Sequence, residues 1–426
     1  MKTLLHFMAA LVLSATISPA LPMTNTAITS NATGLYAVND NGHVAYKEVV
    51  GGDFQVFLFK DGASTQITNN ASIGGAGGNS FIDYLAINNG DQIVWTQYDY
   101  STTPLQVHLF LYSNGAITKI DTLMGASSNY CITPQINNNG AVVWRQYNTD
   151  IGVNNGSEIY LYDGTSVRLT SDANKDEDPR INDNGHVVWT GDRRALDDWD
   201  TRVFLYDGSG TSVAAYSAGS SSYAPQIDQD NSIYFIRLVS GAASLIRTKN
   251  GQEKVIDTGT GFNVNYGFVA NNGRVAYNNK NNKIILFNGA DTQTISTSAT
   301  PNRYPSLNAP GHVAWVEADA GDLAGRVMFY NGVSDTPVCS YTACSAPIIN
   351  AADEIVWQDN STLYLTKTGA TSVVSTSKIP VRSKTGPAKV LVVQGTRALS
   401  GDLFDLRGRR MTSRRDLVQS GILVRR

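Results

Sequence analysis

The chain has 426 residues, of which 16% are charged, and Lys/Arg and Asp/Glu nearly balance at 33 against 36. The balance is uneven: residues 376–426 hold twelve Lys/Arg and three Asp/Glu, leaving 21 against 33 before them. An acidic main body excludes nucleic acid as its partner, since phosphate binding rests on clustered basic charge, and beyond the N-terminal segment no run approaches the length of a membrane-spanning helix.

The first element is MKTLLHFMAALVLSATISPALP, residues 1–22. Lys2, an apolar run from Leu4 to about Ile17, and the small residues through Ser18-Pro19-Ala20 have the layout of a secretory signal. Export through the periplasm is therefore expected, with the mature protein secreted or held at the outer cell surface.

Residues 23–375 are built from one repeated nonapeptide. INDNGHVVW (181–189) has near-copies at 38–46, 87–95, 136–144, 227–235, 269–277, 307–315 and 348–357. The aromatic closing each copy falls at Tyr46, Trp95, Trp144, Trp189, Phe235, Tyr277, Trp315 and Trp357, spaced by 49, 49, 45, 46, 42, 38 and 42 residues. Periods of this length mark propellers of four-stranded blades. The rest of the repeat agrees: TPQI, NNNG, AVVW, SEIYLYDG and TSVRLT in the third copy read as strand, turn, strand, strand with Gly turn, and strand.

The predicted fold is thus all-β: an eight-bladed β-propeller, with seven blades as the alternative count. Residues 24–31 are the segment available to pair with the last blade. The apolar opener and aromatic closer of each nonapeptide are expected to pack between blades, where each aromatic removes roughly 150–250 Å² from water, several kcal/mol at about 25 cal/mol per Å². The polar middle drifts between Asn-Asp-Asn-Gly, Asp-Gln-Asp-Asn and Asn-Ala-Ala-Asp. It is read as turn chemistry that tolerates left-handed backbone, not as a ligand site repeated eight times.

The phrases at Pro134–Trp144 and Glu158–Thr170, P-x-I-N-x-N-G-x-V-V-W followed by E-I-Y-L-Y-D-G and V-R-L-T, resemble the TolB-type propeller repeat, over roughly residues 35–375. The resemblance implies a fold and leaves function open, because such propellers serve both as binding scaffolds and as non-catalytic domains of hydrolases.

Candidate site residues cluster in the fourth repeat. In SDANKDEDP (171–179), Asp172, Asn174, Asp176 and Asp178 alternate, and oxygen ligands so spaced can wrap Ca²⁺; a solvated acidic loop is the competing reading. An EF-hand is ruled out by Glu177 and Asp183 where Gly and Glu are required. In GDRRALDDWD (191–200), Asp197, Asp198 and Asp200 flank Trp199, a pattern suited to carbohydrate, with an exposed salt-bridge cluster as the alternative. His43, His186 and His312 share one repeat position that elsewhere holds Ala141 or Arg274, so they read as surface strand residues. Neither G-x-S-x-G nor H-E-x-x-H occurs, so no catalytic set is assigned. Of the three cysteines, Cys339 and Cys344 are close enough for a local bridge in an exported protein, and Cys131 is left over.

A linker at 376–388 leads into 389–426, a small β-rich tail. Leu403-Phe404-Asp405-Leu406-Arg407-Gly408-Arg409-Arg410 and the closing Ser420-Gly421-Ile422-Leu423-Val424-Arg425 resemble the type IX secretion (Por) C-terminal sorting domain. That resemblance implies an address read by outer-membrane secretion machinery. The functional expectation is a monomeric, non-enzymatic binding module for a polysaccharide or protein. The competing class is an extracellular carbohydrate-active hydrolase or lyase with acidic residues at the propeller channel.

Overall fold

The structure is a computed structural model that describes residues 23–70, 80–99, 106–124, 131–147, 156–172, 174–192, 201–258, 268–318, 325–339 and 344–369, together with three two-residue strands after residue 400. The chain divides into a unit reaching Thr371 and a second unit, Ser372–Arg426.

Among the described residues, the strands of the first unit fall into eight four-stranded antiparallel groups, here blades one to eight. Blades one to seven take theirs in chain order from 32–66, 80–124, 131–168, 175–215, 220–258, 268–294 and 302–337. Blade eight joins Ile348–Ile349, Glu354–Asp359 and Thr362–Lys367 to Thr24–Thr29 from the other end of the chain. Thr24 pairs with Lys367 and Thr26 with Leu365, so the N-terminal strand supplies the outer edge of the last blade. Single parallel bridges, Ser157 to Lys175 and Thr201 to Ser221, link blades three to four and four to five. The whole is a β-propeller.

The core lies between blades, not within them. All eight nonapeptide aromatics are at most 1% exposed. Each seam has its own cluster: Val94, Val107 and Leu109 of blade two meet Val142 and Trp144 of blade three, and Val356, Leu363 and Leu365 of blade eight meet Ala32, Val44 and Tyr46 of blade one. The aromatic also stacks on its cross-strand partner, as Trp144 does on Tyr160 at 5.6 Å and Trp189 on Phe204 at 5.7 Å. Side chains alternate between the two faces of a strand, and every blade has a neighbour on both faces. Continuous apolar runs such as Val-Val-Trp follow from that.

The innermost strands carry a recurrent bulge. In x-Pro-x-(Ile/Leu)-(Asn/Asp), the residue before proline has positive φ at Thr133, Asp178, Ala224 and Tyr304, where the ladder register shifts. Proline has no N–H to give a ladder, so it fits an inner edge strand next to a bulge.

In the second unit, Leu403–Phe404 is the central strand between Arg410–Met411 and Val424–Arg425, antiparallel to both.

Candidate functional site

The nonapeptide turns all lie at one end of the blades, because each joins a first strand to a second. Their polar atoms sew the ring together. Asn39 Nδ2 donates to the carbonyl of Asn88 (2.9 Å), Asn88 to that of Asn137 (2.9 Å), Asn137 to Asn182 (3.0 Å) and Asn182 to Asp228 (2.9 Å). Asn271 donates to Leu307 O (3.3 Å), Asn308 to Asn350 O (2.9 Å) and Asn350 back to Asn39 O (2.9 Å). Asp228 cannot donate, and at that seam the direction reverses: Gly273 N donates to Asp228 Oδ2 (2.6 Å).

The amide oxygens of Asn39, Asn88, Asn137, Asn182, Asn308 and Asn350 meanwhile accept N–H groups of their own turns, as Asn137 Oδ1 does from Asn139 (3.1 Å) and Ala141 (2.9 Å). One buried amide thus closes its own turn and grips the next blade. This corrects the expectation that the polar middle only permits a bend: its first position is a fixed inter-blade link. The signal was present in the sequence, since that position is Asn in six copies and Asp in one.

The histidines need a similar correction. His43 and His312 are not free surface residues: each is largely buried and places Nδ1 against a carboxylate of the next blade, Asp91 (2.6 Å) and Asp353 (2.7 Å). Lys60 also reaches Asp91 (2.7 Å). Burial alone would raise the Asp91 carboxyl; hydrogen bonds from Lys60, His43 and Asn39 outweigh it and hold Asp91 below the ordinary range.

Toward the opposite end, the residue after the nonapeptide aromatic reaches the next blade's inner strand. Lys47 Nζ donates to Ile82 O (2.9 Å) with its ammonium over the rings of Phe54 and Phe81, and burial lowers its pKa. Asn278 donates to Asn302 O, and Gln358 accepts from Gly34 N (3.0 Å). Lys47 is a buried cation in a structural position shared by neutral amides.

What distinguishes one blade is charge. Among the described inner strands there are seven charged residues, and five lie in Lys175–Ile181 of blade four: Lys175, Asp176, Glu177, Asp178 and Arg180. The other two are Asp83 and Arg303. Glu177 accepts from Arg145 of blade three and pairs with Lys175 (2.7 Å). Across the ladder Lys175 faces Asp192, and Arg180 pairs with Val188, whose side chain belongs to the seam with blade five. Arg180 is only half-buried, yet loss of water around its guanidinium lowers its pKa, opposed by Asp178.

The residues expected to bind Ca²⁺ take separate roles. Asp172 Oδ1 accepts from Asn174 N (2.9 Å), closing a local turn. Asp176 is fully buried and accepts from the Trp189 indole (3.1 Å), while Asp178 sits at the positive-φ bulge. The register shift between Glu177 and Arg180 falls at the last of the four. Among the described residues, no group of three or more His, Cys, Asp or Glu is placed to hold a metal ion. Asp197, Asp198, Trp199 and Asp200 lie outside the described residues.

No protein-family model and no curated protein sequence matches the chain. Solved structures do. A prolyl endopeptidase structure matches with a TM-score of 0.50 at 11% identity, over 73% of this chain and 48% of that one. The acylaminoacyl peptidase of Pyrococcus horikoshii matches at 0.45 and 12% identity, over 69% and 52%. An oligogalacturonate lyase of Vibrio parahaemolyticus matches at 0.49 and 10% identity, over 82% and 97%. The chain spans about half the length of the two peptidases. At such identity the likeness shows the propeller fold. The expectation of a non-enzymatic scaffold is corrected to this extent: the prolyl endopeptidase whose fold matches at a TM-score of 0.50 is an enzyme, and at 11% identity the likeness reaches the fold alone.

Proposed function

We propose that this chain is an exported propeller enzyme, a hydrolase or lyase acting on an acidic polysaccharide at the channel edge of blade four. One observation carries the reading: five of the seven charges on the described inner strands gather on Lys175–Ile181. Arg180 is the group suited to a carboxylate of the substrate, because a poorly hydrated guanidinium gains most from a bidentate anionic partner. To Asp178, whose charge opposes the lowering at Arg180, we assign the proton transfer. Glu177, gripped by Arg145 and Lys175, orients that strand.

The signal at 1–22 and the sorting-like tail at 389–426 belong to the same reading, as export and as an address for outer-membrane machinery. The TolB-type character of the repeat is the accompanying family proposal.

The test is turnover of polygalacturonate, alginate and a neutral glucan, read as new reducing ends and as ultraviolet absorbance of unsaturated ends, with and without EDTA. Cleavage of an acidic polymer that is lost in both Asp178→Asn and Arg180→Met is expected. Cleavage unaffected by either substitution, or no cleavage of any acidic polymer, refutes the assignment.

A further inference from the structure

We propose that Cys339 and Cys344 form an intramolecular disulfide, a covalent staple at the junction of blades seven and eight. The two Sγ atoms lie 2.8 Å apart, nearer than sulfurs rest without sharing a proton or a bond, and both residues are buried. Cys339 stands where other blades use a hydroxyl. At the end of the outer strand, Thr68 Oγ1 accepts from Val56 N (2.9 Å), Thr170 from Ile159 N (3.0 Å) and Ser296 Oγ from Ile284 N (3.0 Å); Cys339 Sγ accepts from Val327 N (3.3 Å). A hydroxyl performs that task in three other blades, so acceptance of an N–H does not explain a thiol. A bonding partner does.

The partner is well placed. Cys344 forms antiparallel bridges to both Gly325 of blade seven and Asp359 of blade eight. Its neighbours Ser345 and Ala346 take part in the closing seam, where Tyr36 OH of blade one donates to Ala346 O (2.6 Å). A bond between residues 339 and 344 would anchor that seam by a ring of six residues.

The chemistry balances as two thiols oxidised to one disulfide, with release of two protons and two electrons to a small-molecule or protein disulfide that is reduced to two thiols. The attacking species is a thiolate. In the folded protein the hydrogen bond with Cys339 and burial both push the Cys344 thiol up, so the closed reduced pair reacts slowly. Oxidation belongs to folding, before blades seven and eight pack.

The experiment refolds the denatured, reduced full chain with and without a mixture of reduced and oxidised glutathione, followed by alkylation and peptide mass mapping. With glutathione disulfide present, the 339–344 peptide should be two hydrogens lighter and resist alkylation, while Cys131 alkylates. The same reagent added after reduced refolding should give the product at least tenfold more slowly. Cys339→Ser, which preserves the acceptor for Val327 N, should melt with the reduced protein and a few degrees below the oxidised one. Full alkylation of both cysteines after oxidative refolding, or a bridge from either one to Cys131 or to glutathione, overturns the proposal.

Discussion

Replacing Asn137 by alanine tests whether the sewn ring carries the stability we assign to it. The amide makes three hydrogen bonds: Nδ2 to Asn182 O, and Oδ1 from the N–H groups of Asn139 and Ala141. Asn139 is exposed and recovers water; Ala141 N and Asn182 O are in buried residues and do not. Two orphaned buried groups at about 1–2 kcal/mol each give a loss of roughly 2–4 kcal/mol. With an unfolding entropy of about 2.1 cal/mol/K per residue, a body of this size should lose roughly 4 °C in Tm. Calorimetry on the purified chain measures it.

Asn138→Ala is the control. It removes the Nδ2 bond of an exposed residue to Asp183 and its Oδ1 acceptor for Asn89 N, and should change stability by about 0.5 kcal/mol or less. Asn137→Asp sharpens the test. Its carboxylate keeps both acceptor contacts but faces the Asn182 carbonyl with no proton to give. Folding therefore raises its pKa, so the stability it contributes is present in acid and lost as pH rises through that pKa. The variant should be destabilised at neutral pH and recover relative to wild type in acid. An Asn137→Ala melt within about 1 °C of wild type, or an Asn137→Asp deficit independent of pH, would refute the ring as a stabilising element.

Trp189→Ala should cost roughly 3–5 kcal/mol in denaturant unfolding, because it empties a fully buried site and removes the indole that bonds Asp176. Lys47→Met should cost less than Asn137→Ala in the same assay: it orphans Ile82 O, but it also removes the cost of desolvating an ammonium whose pKa burial lowers. Wild-type stability should fall as pH drops through the carboxylate range. Asp91 and Glu317 are held below their ordinary pKa by donors that outweigh burial, so what they contribute is present above the unfolded pKa and lost on protonation. Asp228, raised by burial, works in the opposite sense. Asp91→Asn should accordingly flatten part of the acid loss in pH-dependent melts.

The blade-building residues were legible because they repeat. An aromatic every 38–49 residues and an Asn/Gly turn before a Val-Val-Trp phrase define strand, turn and strand with no tertiary information. The N-terminal strand was only partly legible: TNTAIT copies nothing in the repeat, and its pairing depends on a partner, Thr362–Lys367, more than 300 residues away. The role of the first Asn was missed for a different reason. A sequence shows that a residue recurs, but not that its Nδ2 points across a seam while its Oδ1 points into its own turn. Among the described residues the Ca²⁺ candidates serve other contacts, Asp172 a local turn and Asp176 the Trp189 indole, which sequence spacing does not reveal.

Where chemistry can occur follows from where polar atoms are already used. At the sewn end, the donors and acceptors of Asn88, Asn137 and Asn182 are spent on the ring, and His43 and His312 are spent on carboxylates of the following blade. At the other end of the seams, Lys47, Asn278 and Gln358 hold inner-strand backbone. The ring is built by repetition, so a residue that departs from the repeat without serving a seam is unexplained by the fold. Among the described inner strands, Asp178 and Arg180 depart from the repeat, although Arg180 donates to Pro179 O (3.3 Å) as Gln135 does to Pro134 O (3.1 Å). Blades three, five and seven carry Thr133, Ala224 and Tyr304 at the Asp178 position and Gln135, Gln226 and Ser306 at the Arg180 position. Gln226 and Ser306 there hydrogen-bond the next inner strand, at Phe268 O and Ile349 N. An arginine has no acceptor for an N–H like that of Ile349, and a hydroxyl or amide would serve the seam without the cost of desolvating a charge.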